Sequence, residues 1–172
     1  GPRFIATLRR LSVGQSIREV GPQSHQVKAG TPTMGGLLIL FTLVVPTLLW
    51  ANLGNLYVWI AIGVTVGFGA IGFVDDFLKV RRRKNLGLSA RAKFLLQVGV
   101  ATLAGSLLRV MPIEGAFAPT LTFPFFKDLI LNLGILYVPF VVLVLVGASN
   151  AVNLTDGLDG LAIGATLIAA AT

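Results

Sequence analysis

The stretch Leu56–Val74 reads LYVWIAIGVTVGFGAIGFV and contains no charged side chain, and it is followed at once by Asp75 and Asp76. A helix rises about 1.5 Å per residue, so about 20 apolar residues cross the roughly 30 Å hydrocarbon core of a bilayer. The run therefore predicts a membrane-spanning helix that places two neighbouring carboxylates at one membrane surface.

The composition of the whole chain agrees with a membrane protein. Of its 172 residues, 55% are hydrophobic and 12% are charged, about half the charged share of an ordinary soluble domain. So few charged groups cannot cover a water-facing surface, which excludes a soluble globular domain. Because the chain has no cysteine, disulfides, thiolate nucleophiles and cysteine-based metal sites are also excluded.

Working outward from Leu56–Val74, we find four apolar runs that are candidates to cross the membrane and the start of a fifth. They predict an all-α fold, a polytopic transmembrane helix bundle formed as a single membrane domain over residues 1–172. The spans are Gly35–Ala51, Leu56–Val74, Phe94–Val110 and Leu131–Ser149, and the fifth runs from Leu161 to Thr172.

Basic residues indicate which segments face the cytoplasm. Residues 1–34 hold five Lys and Arg against one Glu, and residues 75–93 hold seven Lys and Arg. Residues 52–55 hold no charged residue, and residues 111–130 hold three. By the positive-inside rule the two basic segments are cytoplasmic, and four crossings bring residues 150–160 to the same side. The net charge of +7 therefore reflects membrane topology, and no nucleic acid is expected as a partner.

Four of the seven acidic residues form two clusters on this predicted cytoplasmic side. The first cluster is Asp75 and Asp76. Neighbouring helical residues point about 100° apart, so one carboxylate can face a reacting group while the other supports a cation or a lysine. A purely structural interpretation also stays open, because Lys79 can pair with both at i,i+4 and i,i+3 spacing.

The second cluster belongs to the segment 150–160, which has a polar side chain at every third position. These residues are Asn150, Asn153, Asp156 and Asp159. Gly157 and Gly160 predict that the helix breaks there and turns the row into a pocket lining, since broken backbone at membrane depth is tolerated where it is buried or lines a watery cavity. The alternative is an Asx-rich turn capping the fifth helix; it accounts for Asp159 but not for the two asparagines.

The loop HQVKAGTPTMGG at residues 25–36 offers backbone donors and a lysine to a phosphate or phosphosugar. Together with the carboxylates and asparagines, and without a histidine cluster, this set favours Mg²⁺, which binds through a few carboxylates and substrate phosphates. The chemistry indicated is phosphoryl transfer at a membrane surface, in which catalysis is mainly positioning and charge neutralisation.

Three strings carry a resemblance to the phospho-N-acetylmuramoyl-pentapeptide transferase family, within the polyprenyl-phosphate sugar-1-phosphate transferases of glycosyltransferase family 4. They are KAGTPTMGG at 28–36, GFVDDF at 72–77 and NAVNLTDGLDGL at 150–161. The similarity extends over essentially the whole chain and includes SARAKF at 89–94 and FPFFKD at 123–128.

The resemblance implies a Mg²⁺-dependent enzyme of the bacterial cytoplasmic membrane with its active site on the cytoplasmic face. It would transfer phospho-N-acetylmuramoyl-pentapeptide from UDP-N-acetylmuramoyl-pentapeptide to undecaprenyl phosphate, giving lipid I and UMP in peptidoglycan synthesis. The expected partners are these two substrates and the lipid bilayer, and a homodimer stays open beside a monomer. Direct in-line attack is preferred over a covalent enzyme intermediate, although both remain open.

Site residues follow from the resemblance position by position. Asp75 resembles the base that deprotonates the lipid phosphate, and Asp76 resembles its partner near the metal and is the candidate metal ligand. Asp156 is the third candidate catalytic residue. The expected substrate-binding residues are Lys28, Thr33 and Lys93 for phosphate or sugar, Asn153 with Asp156 for the nucleotide sugar, and Gly157, Leu158 and Asp159 for the uracil. Asn150, the first residue of the polar row, is a further expected substrate-binding residue.

Members of the resembling family are longer, and the main Mg²⁺ ligand and a His-rich loop lie in their later spans. We therefore expect the 172-residue chain to be a fragment of a larger bundle and to be inactive alone. Three rival functions remain at this point. They are a transferase that moves N-acetylglucosamine 1-phosphate onto the same lipid, a membrane transporter, in which intramembrane acids are also common, and a non-catalytic scaffold.

Overall fold

The computed structural model describes residues 35–82, 87–110, 119–123, 126–155 and 161–171. These residues form mainly helices, as predicted, with one two-stranded hairpin among them. In chain order they are α1 (Gly36–Trp50), α2 (Leu56–Arg82), α3 (Ala90–Val110), β1 (Thr120–Phe123), β2 (Phe126–Asn132), a 3-10 turn (Gly134–Leu136), α4 (Tyr137–Thr155) and α5 (Leu161–Ala171). The chain divides into two units, 1–97 and 98–172, and each is described by itself.

Within the described residues, three helical segments are long and apolar enough to cross a membrane: Leu56–Arg82, Ala90–Val110 and Gly134–Thr155. Helix α1 is apolar but has 15 residues, about 22 Å at 1.5 Å per residue, and is shorter than the span predicted there. Helix α2 continues eight residues beyond the predicted end at Val74. Asp75 and Asp76 therefore lie about two turns before the end of the helix and not at its last residues.

The apolar side chains of the helices are largely exposed. Examples are Leu49 on α1, Leu103 on α3 and Leu143 on α4, each more than 60% exposed. A monomeric soluble protein rarely exposes this much apolar surface to water. In a membrane, the same side chains would contact the apolar lipid chains. With the three long apolar helices, this exposure identifies the chain as a membrane protein.

In the first unit, α1 and α2 form an antiparallel pair joined by residues 51–55. The side-chain oxygen of Asn55 accepts a hydrogen bond from the Tyr57 N–H at 2.9 Å, which satisfies one of the free donors at the start of α2. A Cβ at Gly69 of α2 would lie 3.0 Å from Leu40 Cδ1 of α1. The missing side chain at this position lets the two helices approach closely.

The second unit contains a hairpin that the sequence analysis did not anticipate. Leu131, where the fourth span was expected to begin, pairs with Leu121 in the antiparallel strands. Gly134 then adopts a left-handed backbone conformation with φ of +49° and donates its N–H to the Asn132 side chain at 2.9 Å. Because this turn separates strand from helix, α4 begins only at Tyr137. A short apolar run can form either a strand or a helix, so the boundary was not readable from periodicity.

Small residues also set the packing of α3 against α4 in the second unit. A Cβ at Gly105 would lie 3.2 Å from Val141 Cβ and 3.4 Å from Val138 Cγ1, so a side chain here would require Val141 to shift by a few tenths of an ångström. Helix α4 ends at Thr155 and α5 begins at Leu161. The predicted break at Gly157 lies outside the described residues and stays a prediction.

Candidate active site

The two neighbouring carboxylates of α2 share one cation. Asp75 and Asp76 lie in the final turns of the helix, and Lys79 follows about one turn later. Lys79 Nζ lies 2.6 Å from Asp75 Oδ2 and 3.2 Å from Asp76 Oδ1. Both ion pairs of the structural interpretation therefore form. Asp75, Asp76 and Lys79 together carry two negative charges and one positive charge, so this cluster keeps a net negative charge.

Asp75 is held on both of its oxygens. Its second oxygen, Oδ1, accepts the backbone N–H of Leu88 at 2.7 Å, although Leu88 lies thirteen residues further along the chain. The Asp75 side chain is only 13% exposed. The carboxylate thus has a fixed orientation between Lys79 on its own helix and the segment that leads into α3.

Asp76 faces a different environment, as the 100° separation of neighbouring helical residues requires. Its side chain is 37% exposed and lines a cleft of about 330 Å³ between α1 and α2. The other lining residues are Gly36, Leu37, Ile39, Leu40, Leu43, Thr65, Gly69, Gly72 and Phe73. Of the described residues that line the cleft, Asp76 is the one that carries a charge.

The shape of the cleft follows from the antiparallel helix pair. It extends from Gly36 and Asp76, at the predicted cytoplasmic ends of α1 and α2, toward Leu43 and Thr65 deeper along the helices. A Cβ built at Gly36 or Gly72 would meet nothing within 4 Å, so these glycines leave open space. The result is an apolar slot with a carboxylate at one end.

The start of α3 adds polar groups next to Asp75. Ser89 Oγ accepts the Ala92 N–H at 3.2 Å, a side-chain cap at the beginning of the helix. Lys93 lies in the same first turn, with its N–H bonded to the Ser89 carbonyl at 3.0 Å. The role of Lys93 in holding phosphate or sugar stays a prediction.

The structure places the remaining predicted site residues as follows. Asn150 and Asn153 lie near the end of α4 in the second unit. The Asn150 amide donates to the Val146 carbonyl at 2.8 Å, and Asn153 is exposed. Outside the described residues lie Lys28, Thr33, Asp156, Gly157, Leu158 and Asp159, whose roles stay predictions.

Two groups that contact Asp75 were not predicted from the sequence: Gly87, and the backbone N–H of Leu88. A backbone donor has no residue-type signature, because every residue except proline carries one. The only available signal was a glycine two residues before the helix-capping Ser89. That signal is weak, since glycine is common in loops.

The described side chains show which residues could bind a metal ion. Among the residues that the structure describes, no group of three or more His, Cys, Asp or Glu lies close enough to hold a metal ion. Asp76 nevertheless fits the role of one ligand, because it presents a partly exposed carboxylate at the cleft. Mg²⁺ is commonly bound through one or two carboxylates with substrate phosphates and water.

The chain was compared with known proteins. The phospho-N-acetylmuramoyl-pentapeptide-transferase of Nitratidesulfovibrio vulgaris (strain DP4) is 59% identical over 169 residues, which cover 98% of this chain and 46% of the relative. Enzymes of the same name from Desulfatibacillum aliphaticivorans and Koribacter versatilis (strain Ellin345) are 58% and 54% identical, covering 100% and 99% of this chain and 47% and 49% of the relatives. The chain spans about half the length of the curated relatives it matches.

Two sequence models match the chain. Phospho-N-acetylmuramoyl-pentapeptide-transferase signature 1 matches residues 28–40, which include the beginning of α1. The model described as glycosyl transferase family 4 matches residues 58–172, more than half of the chain, and it contains the Asp75–Asp76 pair, Lys93 and the polar end of α4. The chain therefore belongs to glycosyl transferase family 4.

Proposed function

We propose that the protein carrying this chain transfers phospho-N-acetylmuramoyl-pentapeptide from UDP-N-acetylmuramoyl-pentapeptide to undecaprenyl phosphate, forming lipid I and UMP. The observation that carries the proposal is the apolar cleft that ends at Asp76 beside the held carboxylate of Asp75. Such a slot suits a substrate with a long apolar chain and a reactive phosphate at one end. The signature at residues 28–40 and the names of the relatives support the muramoyl donor over an N-acetylglucosamine donor.

The proposed reaction is a single displacement at phosphorus. An oxygen of the lipid phosphate attacks the sugar-linked phosphorus of the donor, the bond from that phosphorus to the bridging oxygen breaks, and UMP leaves with that oxygen. A phosphate monoester loses its second proton near pH 6, so proton removal is a modest demand at neutral pH. Asp75 is the proposed acceptor of this proton, and the remaining work is positioning and charge compensation.

Charge compensation is needed because the Asp pair and both substrates are anionic. Asp76 would hold Mg²⁺, which, when bound, would neutralise charge on the substrate phosphates. Lys93 contributes a second positive charge from the start of α3. The basic residues of segment 75–93 attract the anionic nucleotide sugar by the same electrostatic principle.

The nucleotide-sugar side of the site is proposed from the sequence. Asn150 and Asn153 would bind the donor from the end of α4, together with Asp156 and the uracil-binding segment 157–159. Lys28 and Thr33 would hold phosphate or sugar. The basic segments support the proposal that this site lies on the cytoplasmic face of the bacterial inner membrane, and a homodimer remains an open proposal.

The experiment supplies undecaprenyl phosphate with either UDP-N-acetylmuramoyl-pentapeptide or UDP-N-acetylglucosamine and measures UMP release and the lipid-linked product. We expect turnover with the muramoyl donor and none with the other. Turnover only with UDP-N-acetylglucosamine would refute the proposal. Asp75→Asn and Asp76→Asn should each abolish turnover, while Gly63→Ala, on the same helix with nothing within 4 Å of its added Cβ, should leave it unchanged.

A further inference from the structure

Gly87 lies directly against the backbone and side chain of Asp75. A Cβ at Gly87 would lie 2.8 Å from the Asp75 carbonyl oxygen and 2.9 Å from Asp75 Cγ. Distances below 3.0 Å are essentially never adopted by real Cβ atoms. Any side chain at this position would therefore displace the carboxylate, the segment that carries Gly87, or both.

Backbone strain does not explain the glycine. Gly134 has a positive φ of 49°, but Gly87 does not lie in the left-handed region that L side chains avoid. Another residue could adopt the Gly87 backbone conformation. What excludes a side chain is the space that Asp75 occupies.

The close approach of Gly87 permits the hydrogen bond next to it. The following residue donates its N–H to Asp75 Oδ1 at 2.7 Å, while Lys79 contacts the other oxygen at 2.6 Å. The Asp75 carboxylate is thus fixed from two directions. One contact comes from its own helix, and the other depends on a neighbour without a side chain.

We propose that Gly87 is a positioning residue for catalysis: it lets the Leu88 N–H fix the Asp75 carboxylate in its reactive orientation. The inference rests on the proposed function, because it assigns Asp75 to the reaction. Misplacing a reacting group by about 1 Å can reduce a rate by about 10²-fold. Because Gly87 touches no substrate in this assignment, its loss acts on kcat and leaves the KM values of both substrates unchanged.

The test combines kinetics with hydrogen–deuterium exchange of the Leu88 amide in the purified protein that carries this chain. In Gly87→Ala we expect faster Leu88 exchange and a kcat reduced by about 10²-fold at unchanged KM. In Asp75→Asn the side-chain oxygen still accepts the N–H, so exchange stays slow although turnover is lost. Gly63→Ala is the matched glycine control and should change neither quantity.

The possible results distinguish a failure of the positioning role of Gly87 from a failure of the proposed function. Slow Leu88 exchange in Gly87→Ala, or fast exchange with an unchanged kcat, would overturn the positioning role while the proposed function stands. A wild-type protein without lipid-linked product would overturn the proposed function and the positioning role together, whatever the exchange shows. If Gly87→Ala does not accumulate, Leu88→Pro removes the donor while keeping the glycine; the same loss of kcat supports the inference, and a normal kcat overturns it.

Discussion

Replacing Lys79 with methionine removes the cation that both carboxylates share while keeping a side chain of similar length. The ammonium nitrogen lies 2.6 Å from Asp75 Oδ2 and 3.2 Å from Asp76 Oδ1. At an effective dielectric constant of about 20, two unit charges 4 Å apart attract by about 4 kcal/mol before desolvation is subtracted. The variant therefore leaves two adjacent carboxylates without their counter-charge.

How much the free energy of unfolding falls in Lys79→Met depends on how exposed the ion-paired side chains are. Exposed ion pairs contribute roughly 0 to 1 kcal/mol, whereas removing one partner of a buried pair costs about 3 to 5 kcal/mol. The side chains of Lys79 and Asp75 are 38% and 13% exposed, which places the pair between these limits. We expect Lys79→Met to lower the free energy of unfolding by about 2 kcal/mol, seen as a Tm lower by roughly 4 to 8 °C.

The assay is thermal unfolding of the detergent-purified protein, with Arg82→Met as the matched control. Arg82 is an exposed residue of the same last turn, outside the shared ion pair, and its loss should cost less than about 1 kcal/mol. Adding Asp75→Asn to Lys79→Met should cost less than the sum of the two single changes, because it also removes one uncompensated charge. Equal Tm values for Lys79→Met and Arg82→Met would refute the reasoning.

Three further predictions concern the groups around the ion pair. Gly72→Leu puts a side chain into open space in the cleft and should raise the KM for the lipid phosphate but not the KM for the nucleotide sugar. Gly63→Leu is the control, because Gly63 lies on the same helix but does not line the cleft. Equal KM changes in the two variants would contradict the assignment of the cleft to the lipid. Ser89→Ala removes the cap on the Ala92 N–H and should reduce the free energy of unfolding by about 1 kcal/mol, measured by thermal unfolding, while Ser89→Thr should retain most of it. Asp76→Asn should weaken Mg²⁺ binding, measured by isothermal titration calorimetry of the purified protein in the presence of the nucleotide sugar, and a binding isotherm equal to that of the wild type would remove Asp76 from the proposed ligands.

The helical segments were largely predictable because apolar run length is a local property. Leu56–Val74 lies entirely within α2, and the predicted span Phe94–Val110 lies within α3. The ends were less predictable. Helix α2 continues through Asp75 and Asp76 to Arg82, and the basic residues of its last turn favour that end because cations interact well with a helix C-terminus.

The hairpin before α4 and the contacts of Asp75 depend on residues far apart in the chain. Strand β1 stabilises β2 through cross-strand pairs such as Leu121 with Leu131, and periodicity within β2 carries no information about that partner. The i,i+4 spacing of Asp75 and Lys79 made their pairing predictable. No comparable spacing rule applies to a backbone donor thirteen residues away.

Composition and span length identify a membrane protein, and the charge asymmetry predicts that its two acidic clusters lie on one face, because hydrophobicity and charge act residue by residue and need no partner. The motif strings also point to the family. Which carboxylate is held and which faces the cleft follows from the packing of α1 against α2 and from the approach of Gly87 and Leu88 to Asp75. That arrangement depends on the three-dimensional path of the chain, since it joins groups whose separation along the sequence carries no signal.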